Sequence, residues 1–579
     1  MAKRWRIHSH DPDRIRDMER AAGVPAVVAQ LLLCRGICEP HLARQFLDPK
    51  LTDLCDPGLL PGCADAARLI HNAIQAGKRI VVYGDYDVDG ITGTALLRQC
   101  LALLGANVGY YVPHRIDEGY GLHHDAIRRL AADGAQMLIS VDCGIGSVEE
   151  AKTARECGLD LIITDHHTPP PELPEAAAIV HPALPGGGYP FAGLSGSGVA
   201  FKLAWSICQQ ASGAQKVSPR MKSFLVQAVG LAALGTVADV VPLVAENRVL
   251  VRHGLASLKQ QPTLGMATLM EVVGLSKQPA LSAEDIAFSL GPRLNAAGRL
   301  GQAQLAVELL ITDRQDRARE LAGYVDGLNS SRQTLERSIY LAASKLAKEQ
   351  FDPEIDAALV LADHDWHAGV IGIVAGRLVE KYHRPVVLIA LDPMGVKPGV
   401  GSARSVPGFD LHAALQSCSA HLRTCGGHAA AAGLTIDPAN IDAFRAAFVE
   451  AAAGRIDVAD RVAELLIDGE APLSAFTLKV AEQIEQLAPF GCSNTRPLLC
   501  TSGVTLVEPP KTIGSGGRHL SMRLRQHNVT LRAIAFGGGE RLEELTATDQ
   551  PLDVAFRPVI NTFNGRRSVE LHLVDWRRG

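Results

Sequence analysis

The sequence predicts an α/β protein of several domains, in which two α/β bodies are joined by a long helix and followed by a small β-barrel. Three observations predict it. Between about residues 78 and 240, short runs that are apolar throughout (80–83, 136–141 and 161–164) alternate with helical stretches such as 94–104. Strands without a polar face belong to a parallel sheet covered on both sides. Between 318 and 349, Leu321, Val325, Leu328, Leu335, Ile339 and Leu346 recur at mostly helical spacing with no proline among them, which predicts one helix of about 50 Å. After about residue 463, alternating segments at 521–525, 530–536, 552–556 and 568–574 are separated by glycine-rich turns, the pattern of a small barrel.

At 579 residues the chain exceeds what one core organises. The expected divisions are an N-terminal cap (1–50) with helical patterns at 26–33 and 41–47, a first α/β body (51–260), and a helical region carrying the connector (261–350). A second α/β body (351–462) follows, whose strands 357–361 and 385–390 flank a helix at 369–381, and the barrel occupies 463–579. A composition that is 47% hydrophobic and 21% charged excludes a disordered chain. No apolar stretch follows the basic start, and nowhere do about 18 uncharged apolar residues run together, so a cytoplasmic protein without membrane contact is expected. Twelve cysteines include no C-x-x-C pair, which points to small buried thiols rather than a zinc site or disulfides. The net charge of −5 hides an asymmetry, because from Ala471 onward 13 Lys and Arg face 10 Asp and Glu. A phosphate-binding tail on an acidic, metal-binding body has this distribution.

The segment Tyr83-Gly84-Asp85-Tyr86-Asp87-Val88-Asp89-Gly90 places three carboxylates at alternate positions directly after an apolar strand. In an extended stretch alternate side chains share a face, where three like charges repel unless cations lie between them. The bland alternatives are a solvated acidic turn, or a calcium loop begun by D-x-D-x-D-G. The calcium reading lacks its glutamate, since the twelfth loop position is Leu96. Asp142 and the triplet Asp165-His166-His167 follow other strands at the same sheet edge, and Asp239 closes a further apolar segment. Six aspartates and two histidines at one edge favour a hard divalent cation, Mg2+ or Mn2+.

The order and spacing of these four segments resemble the motifs of the DHH phosphoesterase family, named for the triplet present here at 165–167. The segment 83–90 is similar to the RecJ branch rather than the pyrophosphatase branch, which carries a histidine where Tyr83 stands. Segments 113–122, 291–300 and 328–332 extend the resemblance over nearly the whole chain. It implies two divalent ions, Mn2+ or Mg2+, held by Asp85, Asp87, Asp89, Asp142, His166 and Asp239, with Asp142 as the bridge. Asp165 and His167 would be catalytic, orienting ligands or touching substrate. It also implies a monomeric 5′-to-3′ exonuclease that releases 5′-mononucleotides from single-stranded DNA in repair and recombination, with single-strand-binding protein and a helicase as partners.

Phosphate-binding candidates form a second group. Ser402 and Arg404 offer a hydroxyl and a guanidinium, and Gly426, Gly427 and His428 precede an expected helix, a ready anion site. A glycine turn beside an unrelated arginine is the plain alternative. The resemblance assigns this stretch to the DHH-associated domain, which clamps the terminal nucleotide. Arg115, Arg293, Arg299 and Arg332 are candidates along the strand path, or else members of structural ion pairs. The tail resembles an OB-fold, in which Lys511, Arg518, Arg523 and Arg525 would meet phosphates. Phe536 or Phe563 would offer a stacking surface, although core packing is the commoner role of an aromatic. Two other classes compete. A phosphodiesterase of short oligonucleotides or cyclic dinucleotides would need only the two α/β bodies, and a non-catalytic DNA-binding scaffold would have lost ligands that are present here.

Overall fold

The computed structural model describes residues 3–115, 117–352, 355–456, 464–546 and 550–578. Ile116, within the segment 113–122, and the expected boundary at 462/463 lie outside them. Five strands, β1 (Arg79–Gly84), β2 (Asn107–Tyr111), β3 (Met137–Val141), β4 (Asp160–Thr164) and β5 (Ala178–Val180), form an all-parallel sheet in the order β2-β1-β3-β4-β5. Alternation along β1 divides its side chains between two layers. Ile80 and Val82 join the large core that contains the helices α1 (Val88–Leu103), α2 (Gly196–Ser212) and α3 (Pro219–Ala238). Val81 and Tyr83 face the opposite, smaller core with Leu138 and Leu161. Tyr83 donates its hydroxyl to the Gly121 carbonyl (3.2 Å) there. By length and hydropathy α3 alone among the described helices is long and apolar enough to cross a membrane. It lies packed against α1, α2 and the helix Ala245–Gln260, with Leu231, Ala232, Ala233 and Leu234 fully buried, as a core helix does.

A helical region follows, with α4 (Gly291–Arg299) leading toward the connector α5 (Gln315–Gln350), whose 36 residues run unbroken. The first half of α5 buries Leu321, Ala322 and Val325 in the large core of the first body, and the second half buries Ile339, Ala343 and Ala347 against the second body. That body holds a mixed sheet of β6 (Leu359–Asp363), β7 (Val386–Ala390), β8 (Gly399–Arg404), β9 (Thr424–Gly427) and β10 (Ala431–Ile436), in the order β9-β10-β8-β7-β6. Only β6 and β7 are parallel, and α6 (Ala368–Tyr382) is the crossover between them. The glycine pair Gly426-Gly427 sits on β9, in a hairpin with β10, and not before a helix. Glycine pairs serve hairpins as readily as helix starts, and here Gly427 takes φ +137°.

The C-terminal strands close a barrel, since Leu499–Leu506 pairs with both Leu552–Phe563 and His519–Gln526. Residues expected to cap the start of the chain belong to this body. Val28, Leu31 and Leu32 share one core with Phe476, Leu499, Phe556 and Trp576, and Arg4–Ile7 pairs in parallel with Glu464–Ile467. The barrel is tied to the helical region by Arg496, which bridges Glu284 (2.9 Å) and the barrel's own Glu485 (2.6 Å), and to the first body by Leu243 N–H donating to the Cys492 carbonyl (2.9 Å).

Candidate metal centre

Sheet register aims the acidic motifs at one point. Asp85, Asp142 and Asp165 each extend the ladder by one bond at the carboxyl edge, donating backbone N–H to the carbonyls of Val141, Thr164 and Val180. Asp142 then turns out of the sheet with φ +64°, a left-handed conformation that costs an ordinary side chain energy and clusters at functional sites. Asp87 caps α1, accepting from the N–H groups of Asp89 (2.9 Å) and Gly90 (3.1 Å). The Asp89 carboxylate is held at the start of α2 by the N–H groups of Gly196 (2.5 Å) and Ser197 (3.0 Å). Asp239 comes from the C-terminal end of α3, a helix end rather than a strand end.

Ligand atoms converge in three overlapping groups, each within 4.8 Å: Asp85, Asp87 and Asp142; Asp89, His166 and Asp239; and Asp142, His166 and His167. Asp142 and His166 each belong to two of them. His166 Nε2 lies 3.1 Å from Asp142 and 3.5 Å from Asp239. Even so, among the described residues His166 Nε2, Asp85 Oδ1, Asp142 Oδ1 and Asp239 Oδ2 are buried without a hydrogen-bond partner. Four orphaned ligand atoms facing one another would be costly as bare protein, and divalent cations would satisfy all four. The electrostatics agree. Burial and then the neighbouring carboxylates push Asp85 and Asp142 well above the usual range and Asp239 up to about 9. Burial likewise lowers His166. The donor set of carboxylate oxygens with imidazole suits Mg2+ or Mn2+. Two glycines make room for it: a Cβ on Gly196 would stand 2.5 Å from Asp142 Oδ1, and one on Gly235 2.3 Å from Asp89 Oδ1.

The DHH triplet divides its work. Asp165 accepts from Ile145 N–H, from the N–H groups of His166 and His167, and from His167 Nδ1 (2.7 Å). Burial opposes its ionisation, but the hydrogen bond and charge of His167 hold it at about 2. For His167 the same burial is outweighed by Asp165, which keeps the imidazole up at about 9. Tyr120, to which the sequence assigns no role, contacts His167 Nδ1 (3.1 Å) and donates to the Asp142 carbonyl (3.1 Å). Asn295, equally silent in the sequence, accepts from Val88 N–H (3.2 Å) inside the first motif. Both stand in segments that carry the family resemblance, 113–122 and 291–300, but their separation from the acidic motifs along the chain hides what they touch.

Of the phosphate candidates, Arg115, Arg299 and Arg404 come together. Arg115 lies over the Tyr86 ring (4.7 Å) and acts electrostatically on Asp85. Burial, then the nearby charges of Arg115, Arg404 and Arg332, lower Arg299 to about 10, and burial with Arg115 lowers Arg404. Among the described residues none of Arg115, Arg299 and Arg404 has a carboxylate within 4.0 Å of its guanidinium. Arg404 donates to Ser402 Oγ (3.1 Å), and Ala430 beside the His428 hairpin accepts from Ser405 N–H, so this turn borders the Arg404 strand end. Gly426, Gly427 and His428 are exposed there. Arg293 and Arg332 instead make ion pairs, with Asp326 (2.8 Å) and Glu336 (2.6 Å). Lys511, Arg518, Arg523 and Arg525 lie exposed on the barrel. Phe536 and Phe563 are 59% and 71% exposed, so neither is a core aromatic, and Phe536 packs edge-on against His519 and His572.

Three family models match the chain: the DHH family N-terminal domain over residues 79–236, the DHHA1 domain over 356–454, and the RecJ OB domain over 467–575. The single-stranded-DNA-specific exonuclease RecJ of Bacillus subtilis (strain 168) is 36% identical over 99% of this chain and 70% of its own length. That of Haemophilus influenzae is 36% identical over 92% of this chain and 93% of its own. The crystal structure of RecJ from Thermus thermophilus in complex with Mn2+ superposes on the whole of this chain and 80% of that one, with a TM-score of 0.84 at 35% identity. A second crystal structure of that protein is a complex with Mg2+. With sequence likeness along its whole length, a shared three-dimensional course and the acidic centre in the same kind of domain, the chain belongs to the RecJ family of DHH phosphoesterases.

Proposed function

We propose that the protein is a metal-dependent exonuclease that removes nucleotides from the 5′ end of single-stranded DNA and releases 5′-mononucleotides. The observation that carries the reading is the pairing of two opposite clusters: carboxylates with orphaned ligand atoms on the DHH sheet, and beside them guanidiniums without carboxylate partners among the described residues. Asp85, Asp87, Asp89, Asp142, His166 and Asp239 would hold two Mn2+ or Mg2+ ions. Such ions lower the pKa of a bound water and neutralise charge on a phosphate under in-line attack. The chain's own groups do the rest. Asp165 fixes the His166-His167 backbone and, through its contact with Nδ1, the orientation of the His167 ring beside the ligand cluster. Arg404, Ser402, Arg115 and Arg299 receive the 5′-terminal phosphate, which sets the cut one nucleotide in and makes the enzyme exonucleolytic. Lys511, Arg518 and the exposed Phe536 hold the strand farther along.

The same reading makes it a cytoplasmic monomer of DNA repair and recombination, working with single-strand-binding protein and a helicase. The test is a time course with end-labelled single strands, duplexes and dinucleotides in Mn2+ or Mg2+. Mononucleotides from the first time point, from single strands alone, are expected. Cleavage of dinucleotides without attack on long strands would instead favour the small-phosphodiester reading, and binding without hydrolysis the scaffold reading.

A further inference from the structure

Phe288 is an aromatic side chain left 78% exposed in the middle of a helical run. The run opens at Ala283–Asp285, widens into a π turn, Ile286–Leu290, and continues as α4. Such turns recur at functional sites. Spacings of four, three and four residues put Phe288, Pro292, Asn295 and Arg299 on one face. Pro292, Asn295 and Arg299 are partly open, while Ile286, Leu290, Leu294 and Ala297 on the other side are fully buried.

That open face lies along the metal centre. At one end stands Arg299 of the guanidinium cluster, next to Gly298, which presses so closely on the Tyr86 carbonyl that a Cβ would come within 2.0 Å. In the middle Asn295 holds Val88 N–H, between Asp87 and Asp89. Farther along, Gly291 packs on Ala238, the neighbour of Asp239. Phe288 stands nearly one turn beyond that point, about 16 Å from Arg299 along the axis. The end of α3 packs against the turn that carries it. Val240, directly after Asp239, is 67% exposed and takes φ +61°, an outlier for a β-branched residue.

We propose that Phe288 is a stacking platform for a base of the substrate strand on the 3′ side of the bond being cut. The inference rests on the exonuclease reading: a strand held by its 5′-phosphate at Arg299 and crossing the carboxylates leaves along the face that ends at Phe288. An aromatic surface there holds any base, because every base has a π face, and it positions the strand without reading its sequence.

The test compares the KM on a long 5′-phosphorylated single strand with that on a 5′-phosphorylated dinucleotide, which is too short to reach Phe288. In Phe288→Ala the preference for the long strand should drop about tenfold through KM, and Phe288→Trp should restore it. One abasic nucleotide, moved stepwise from the 5′ end, should raise the wild-type KM at a single position and leave Phe288→Ala insensitive there. An unchanged long-strand preference in Phe288→Ala, a failure of Phe288→Trp to restore it, or equal sensitivity of both proteins to the abasic site would overturn the proposal. A wild type that degrades no single strand would instead remove the reading beneath it.

Discussion

Asp142 combines a left-handed backbone, full burial and an orphaned oxygen, three costs that the fold sustains at one residue. Asn tolerates the left-handed region and keeps the shape while removing the charge. Asp142→Asn should therefore raise the melting temperature of the metal-free protein, since one of several repelling carboxylates is gone. Wild type should gain about 2.7 kcal/mol from Mn2+ at a hundred times its Kd, and the variant should lose most of that gain. Hydrolysis should disappear while single-strand binding persists; activity within about tenfold of wild type would remove Asp142 from the centre. Arg404 makes a separate prediction. Its guanidinium has no carboxylate partner among the described residues, so Arg404→Ala should reduce the rate advantage of a 5′-phosphorylated end over a 5′-hydroxyl end without altering Mn2+ affinity. An unchanged ratio would shift the pocket toward Arg115.

Helix ends, as well as strand ends, decide how the carboxylates are presented. Asp87 caps α1, Asp89 is clasped by the start of α2, and Asp239 closes α3. The close approach of α2 and α3 depends on glycine. Gly235→Ala would drive a methyl group against Asp89 and Ser197, and calorimetry should show Mn2+ affinity weakened by at least about tenfold, the size of loss seen when the groups that orient a metal ligand are disturbed. Gly426→Ala, with open space around it, should leave affinity unchanged. Equal effects would mean that packing at Gly235 does not set the ligand. The strand-borne part of the site is legible in the sequence because Asp85, Asp142 and Asp165 each follow an apolar run, and a parallel sheet gathers the residues just beyond its strand ends. Asp239 is legible through its motif, although the apolar segment before it is a helix. Asn295 stands in the segment 291–300 that carries the resemblance but shows no role there, and Phe288 leaves no trace, because their importance lies in the 3.2 Å bond to Val88 and the exposure of a ring, both set by packing. The hairpin at Gly426-Gly427 stands where a helix start is expected because local glycine content does not distinguish the two.

At the scale of the whole molecule, the barrel cannot be removed as a detachable module. Cutting the chain after residue 456 would strip Val28, Leu31 and Leu32 of their partners, so the role of the barrel is better tested on its surface. Lys511→Ala with Arg518→Ala should weaken binding to long single strands and flatten the slope of log K against log salt by about 0.7 for each lost phosphate contact. An unchanged slope would move the strand path off this face. Nothing in the sequence hints that the chain's beginning and end share a core, since contacts 460 residues apart leave no local pattern. That pairing also governs how the protein is made. A ribosome adding about 5–20 residues each second needs on the order of a minute to pass from the first strand to its partner. Throughout that time the apolar helix at 26–34 has emerged without the barrel residues that complete its core. The catalytic body can fold meanwhile, but the nascent N-terminal segment has to wait, and it is there that a chaperone would find this chain during synthesis.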